Sequence, residues 1–146
     1  MNGVRTLLLA EVAAFAAAAL VHAGVIADGY QHREAMIAES VIALVLTLGL
    51  LAGMATPRWT RAAALAAQGF ALLGTCVGIF TIIVGIGPQA DFDVAVHAGL
   101  VVLLTVGLAV AARPGPSDFD ERERARIKDT SGGDRLAPSS PSRSGR

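Results

Sequence analysis

An all-α bundle of four transmembrane helices is the fold this sequence predicts, on three observations. Of 146 residues, 53% are hydrophobic and 16% charged, whereas an average soluble domain carries about 25% charge. Residues 1–112 hold 10 of the 24 charged side chains, and residues 113–146 hold the other 14. Within residues 1–112, four apolar stretches run 4–27, 35–55, 60–86 and 94–112. Each is near the roughly 20 residues that a helix needs to cross a bilayer. They are apolar on every side, unlike the surface helix of a soluble protein, and no series of short alternating strands points to a β-barrel.

The first stretch follows Met1–Arg5, which resembles the charged start of a signal peptide, with Val21-His22-Ala23 as a possible cleavage site. The apolar run is long and contains Glu11, so it reads as a retained span rather than a cleaved leader. Asp28 to Arg33 joins it to the second stretch, Thr56-Pro57-Arg58-Trp59 joins the second to the third, and Gly87 to Asp91 joins the third to the fourth. Each joint combines turn residues with polar groups that do not remain in hydrocarbon. Tyr30 and Trp59 fall at interfaces, where amphipathic rings are favoured. Arg5, Arg58, Arg61 and Arg113 lie on one side; the other has Arg33 alone among Asp28, Glu34, Asp91 and Asp93. The positive-inside rule then predicts cytoplasmic N- and C-termini. Eleven arginines to one lysine fit a GC-rich bacterial genome, hence a bacterial cytoplasmic membrane.

Arg113-Pro114-Gly115-Pro116 ends the fourth helix, because prolines and glycine do not continue it. The tail, residues 113–146, is expected to form a short charged helix over about 117–128 and to be disordered from Asp129 onward.

Sliding the chain by 58 positions superposes Gly29 and Gln31 on Gly87 and Gln89, and Thr47, Gly49 and Leu50 on Thr105, Gly107 and Leu108. The bundle is therefore expected to consist of two parallel hairpin repeats. The same offset sets Glu39 against His97 at equivalent depth.

Charged groups inside spans cost on the order of 3 kcal/mol or more and mark candidate sites. The candidates are Glu11, His22, Glu39, Asp93 and His97, with the neutral Gln68. Glu11 and His22 are eleven residues apart, so they share one face of the first helix at depths about 16 Å apart. His22, Glu39, Asp93 and His97, with His32 and Asp91 in the loops, are expected to gather toward the outer side, and Glu11 and Gln68 toward the cytoplasmic side, where the two can pair with each other. Three readings stay open for the outer cluster. His22 and His97 could be axial ligands of a b-type haem; with Glu39 or Asp93 they could hold a transition metal; or the groups hydrogen-bond one another and lock the helices together.

Zero net charge excludes nucleic acid as a partner. The single cysteine, Cys76, excludes a disulfide framework and is expected to be an inert buried thiol. No nucleophile–base pair or phosphate-binding loop is visible, so the chain does not read as an enzyme. The expected partners are the lipid bilayer and a second copy or another membrane protein.

Two resemblances add to this. Leu9-Ala10-Glu11-Val12, in the first helix of a small four-helix chain, resembles the small multidrug resistance transporters. That resemblance covers this segment and implies proton-coupled transport with Glu11 as the exchange site. Val21-His22-Ala23-Gly24, Ala38-Glu39-Ser40-Val41-Ile42, and Gly74 through Gly87 followed by His97 resemble a group of small four-helix bacterial membrane proteins with no activity attached. The combined reading is a structural, accessory or ligand-binding bundle, with haem or metal binding at His22 and His97, or transport at Glu11, as alternatives.

Overall fold

Helix ends in an apolar chain are set by backbone chemistry, and two glycines set them here. The structure, a computed structural model, describes residues 2–113, 124 and 126–128. Four helices run α1 Asn2–His22, α2 Arg33–Ala55, α3 Thr60–Ile83 and α4 Asp91–Ala112, with a 3-10 turn at Pro57–Trp59 before α3. All four are long and apolar enough to cross a membrane, so the chain is a multi-pass membrane protein.

The first and third helices stop short of their apolar runs. At the end of α1, Gly24 adopts φ +74°, its N–H donates to the Val21 carbonyl, and the Val25 N–H donates to that of Leu20. At the end of α3, Gly85 at φ +79° does the same, with Gly85 on Ile82 and Ile86 on Thr81. These paired bonds satisfy the last carbonyls, and the left-handed residue between them is one only glycine adopts readily. Gly24→Ala is expected to cost about 1–2 kcal/mol, read as a lower unfolding midpoint in detergent. Gly3→Ala, with open space around it, is the neutral control.

The α2 and α4 helices start a little earlier than the hydropathy suggests. His32 caps α2 by accepting the Ala35 N–H on Nδ1 at 3.3 Å. Asp93 reaches back to accept the Ala90 N–H at 3.2 Å, one half of a capping box.

Sequence neighbours pack around the bundle, α4 closes on α1, and α1 also meets α3 across the middle, while α2 and α4 stay apart. The core holds Leu8, Phe15, Ile42, Leu46, Ala64, Ala71, Leu100 and Leu104. Lipid tails are as apolar as leucine, so close contact rather than burial from water must hold such helices. Glycines supply it: a Cβ on Gly49 would lie 2.6 Å from that of Ala67, and one on Gly53 would lie 3.2 Å from the Thr60 backbone. Larger apolar residues, such as Leu44, Leu48, Leu73, Phe80 and Val102, face outward. Cys76 is exposed on this outer surface, not buried as the sequence leads one to expect. The buried stripe of α3 passes through Ala71 and Thr75, and the next residue is turned about 100° away from it.

The buried residues of α2 are Glu39, Ile42, Leu46, Gly49 and Gly53. Fifty-eight positions on, His97, Leu100, Leu104, Gly107 and Ala111 are all buried in α4. The first helices correspond at 56 instead: Val4, Leu8, Phe15 and Ala19 answer Thr60, Ala64, Ala71 and Thr75. One contact is made twice. Arg5 on α1 donates to the Gly53 carbonyl of α2 at 2.8 Å, and Arg61 on α3 donates to the Ala111 and Ala112 carbonyls of α4 at 3.1 Å each. Both arginines therefore cap the C-terminus of the helix that follows, where cations are favoured.

Met1–Ala112 and Arg113–Arg146 form separate units. In the second, residues 124 and 126–128 are helical and exposed. The expected helix start at Ser117 and the disorder from Asp129 lie outside the described residues.

Candidate functional site

Two groups of polar residues are buried in the bundle, one toward the α1–α2 and α3–α4 loops and one toward the α2–α3 turn. The loop-end group is centred on His22, in the last turn of α1. Its Nδ1 lies 2.8 Å from Glu39 Oε2 on α2, and its Nε2 lies 3.2 Å from Asp93 Oδ1 on α4. A single imidazole thus ties together three helices, and it bridges the two whose backbones stay apart. His97, one turn after Asp93 on α4, holds its Nδ1 2.8 Å from the Asp93 carbonyl. A carbonyl only accepts, so Nδ1 carries the proton and a neutral His97 keeps Nε2 as an acceptor. Nε2 sits against α3, where a Cβ on Gly78 would approach it to 3.1 Å. His32 stands at the margin, its ring 6.5 Å from that of His22. Asp91 is exposed and does not join the group.

Beside this group lies a cavity of about 520 Å³, bounded by α2, α3 and the α3–α4 loop. Ala35 and Ala38 of α2 and Gly74 and Gly78 of α3 line it, and such small side chains leave the gap between the helices unfilled. Phe15 and Ile42 also line it, as do Glu39 and His97. Glu39 is 4% exposed, and its second oxygen, Oε1, is buried without a hydrogen-bond partner.

The turn-end group is simpler. Gln68 Nε2 on α3 donates to both oxygens of Glu11 on α1, at 2.9 and 3.0 Å, and both residues are wholly buried. The pair lies against Gly107 of α4, where a Cβ would overlap Glu11 Oε1 and Gln68 Nε2.

The structure therefore brings His22, Glu39 and Asp93 into direct contact, sets His97 beside them, and joins Glu11 to Gln68. It does not offer His22 and His97 as a ligand pair. Both nitrogens of His22 are engaged by carboxylates, so the residues do not fit the axial ligation of a haem. Among the described residues no group of three or more His, Cys, Asp or Glu is arranged to hold a metal ion.

Sequence reasoning misses three contributors. Phe15 walls the cavity and lies four residues from Glu11 on the same stripe; Gly78 makes room for His97; Gly107 makes room for the Glu11–Gln68 pair. The pairing of Gly107 with Gly49 in the 58-residue offset is the one signal for the last.

Fold and sites together define a multi-pass helical membrane protein with two buried polar sites sharing α1. No protein family, no curated protein and no solved structure matches the chain, so both resemblances rest on the residues quoted for them.

Proposed function

We infer that this is a non-enzymatic protein of the bacterial cytoplasmic membrane that binds a small molecule in the loop-end cavity. The observation that carries this is Glu39 Oε1, a buried acceptor without a partner in a residue that lines a cavity of about 520 Å³. Buried polar groups are normally satisfied, and an orphan needs an explanation; a ligand donor supplies one. A volume in this range is typical of small-molecule sites. The arginine distribution supports an outward-facing loop end, with Arg5, Arg58 and Arg61 at the opposite, cytoplasmic end. The matched burial of α2 and α4 and the repeated Arg5 and Arg61 caps support descent of the two hairpins from one duplicated unit.

Binding is tested on the full chain in phosphatidylcholine nanodiscs. Three probes share one apolar body: 4-phenylbutylamine, 4-phenylbutan-1-ol and 4-phenylbutanoate. At least one is expected to bind saturably by saturation-transfer NMR above empty discs. Ala35→Phe, which fills the cavity from α2, is expected to weaken that binding tenfold or more. Absence of saturable binding by all three, or equal binding by the variant, overturns the reading.

Transport with proton exchange at Glu11 is the second reading. It is favoured by Phe15, which lines the cavity one helical turn from Glu11 on α1.

A further inference from the structure

We propose that the loop-end cavity takes organic cations, an ammonium group on an apolar body, with the nitrogen held at the Glu39 carboxylate. This rests on the reading of the cavity as a binding site and adds the class of ligand. Proton counting leads to it. His22 lies 2.8 Å from Glu39 and 3.2 Å from Asp93, and both contacts become hydrogen bonds once two protons are shared among the three groups. The protons can make an imidazolium between two carboxylates, or a neutral ring beside one protonated carboxyl. In both arrangements the triad keeps one negative charge.

No fixed cation on the cavity wall neutralises that charge. No lysine or arginine lines the cavity among the described residues, and Glu34 adds a second carboxylate to the lining. Glu39 Oε1, which has no partner, and Nε2 of a neutral His97 are acceptors, while His32, whose Nδ1 accepts the Ala35 N–H, holds its ring N–H at the margin beside Glu34. The two hydroxyls present offer no donor to a ligand, because Thr75 already donates to Ala71 and Thr81 to Gly78. A buried acceptor is best satisfied by a charged donor, and an anion would meet like charge, with the His32 ring the one side-chain N–H left to receive it among the described lining residues. Phe15, Ile42 and Val77 supply apolar wall for the rest of such a molecule.

The same three probes decide the matter, since they differ in charge and not in body. In the unaltered protein in phosphatidylcholine nanodiscs, the amine is expected to bind at least tenfold more tightly than the alcohol, and the acid least. Glu39→Gln is expected to bring the amine to the alcohol's affinity and to change the alcohol less than twofold. Equal binding of amine and alcohol, or preference for the acid, overturns the cation inference while the cavity reading stands. An amine preference that persists in a folded Glu39→Gln protein overturns the assignment to Glu39. Absence of binding by all three overturns both readings, and the comparison in the unaltered protein holds even where the variant fails to fold.

Discussion

His22→Ala is expected to destabilise the bundle by about 3–5 kcal/mol, the cost typical of removing one partner from a buried ion pair. The substitution deletes both contacts that the ring makes, to Glu39 at 2.8 Å and to Asp93 at 3.2 Å. An ordinary interhelical hydrogen bond in a membrane is worth only about 0.6–2 kcal/mol, so most of the expected loss lies elsewhere. Two carboxylates remain buried at the same end of the bundle with no proton donor between them. They must take up protons, admit water or separate their helices. The triple variant His22→Ala/Glu39→Gln/Asp93→Asn carries no such charge and is expected to recover at least half of the loss. Unfolding titrations with sodium dodecyl sulfate in mixed micelles, followed by circular dichroism, measure both. A loss under about 1 kcal/mol for the single variant would place the ring's value in the range of an ordinary hydrogen bond and refute the bridging role.

Gly107→Ala is the second large effect. One methyl group there would overlap the carboxylate oxygen of Glu11 and the amide nitrogen of Gln68. Overpacking a tight core typically costs about 1–3 kcal/mol, and here the displaced groups are also each other's hydrogen-bond partners, so the upper part of that range is expected. Gly69→Ala and Gly99→Ala sit on the same two helices with nothing within 4 Å of the added carbon. They are expected to be neutral or slightly stabilising, because alanine is the better helix former. Shortening Gln68 to alanine removes one of the two obstacles as well as the bond, and frees Glu11 to turn away from the other. A cycle of Gly107→Ala and Gln68→Ala is therefore expected to show a favourable coupling of at least about 1 kcal/mol. Additive effects in that cycle would mean that α4 moves aside and the pair is not confined.

Part of this site is legible in the order of amino acids alone. An ionisable group in an apolar run stands out because hydrocarbon cannot solvate it, and Glu11, His22, Glu39, Asp93 and His97 are all conspicuous for that reason. Helical geometry places Glu11 and His22 on one face of α1, and the 58-residue offset places Glu39 level with His97. Shared depth is enough to suggest the Glu11–Gln68 pair, which the structure contains, but partner choice in the loop-end group is not legible in the same way. Glu39 and His97 look like mutual partners because their positions are equivalent, yet they belong to α2 and α4, whose backbones do not come close. His22, on the helix that meets both, takes the carboxylates, and His97 turns to its own helix. Cys76 escapes for a related reason: in a span that is apolar all round, hydropathy does not distinguish the inward face.

Length and hydropathy by themselves determined that four helices cross a membrane, because the number of residues needed to span hydrocarbon and the cost of charge within it are properties of the bilayer. Turn residues determined where the chain reverses. Only the tertiary structure decided which face of each helix looks inward. Lipid and leucine are equally apolar, so the inward face follows close fit, through Gly49, Gly53 and Gly107, and the pairing of polar groups. The same packing left an unfilled space between α2 and α3 beside Glu39, a feature that depends on two distant helices at once and on no local stretch of sequence.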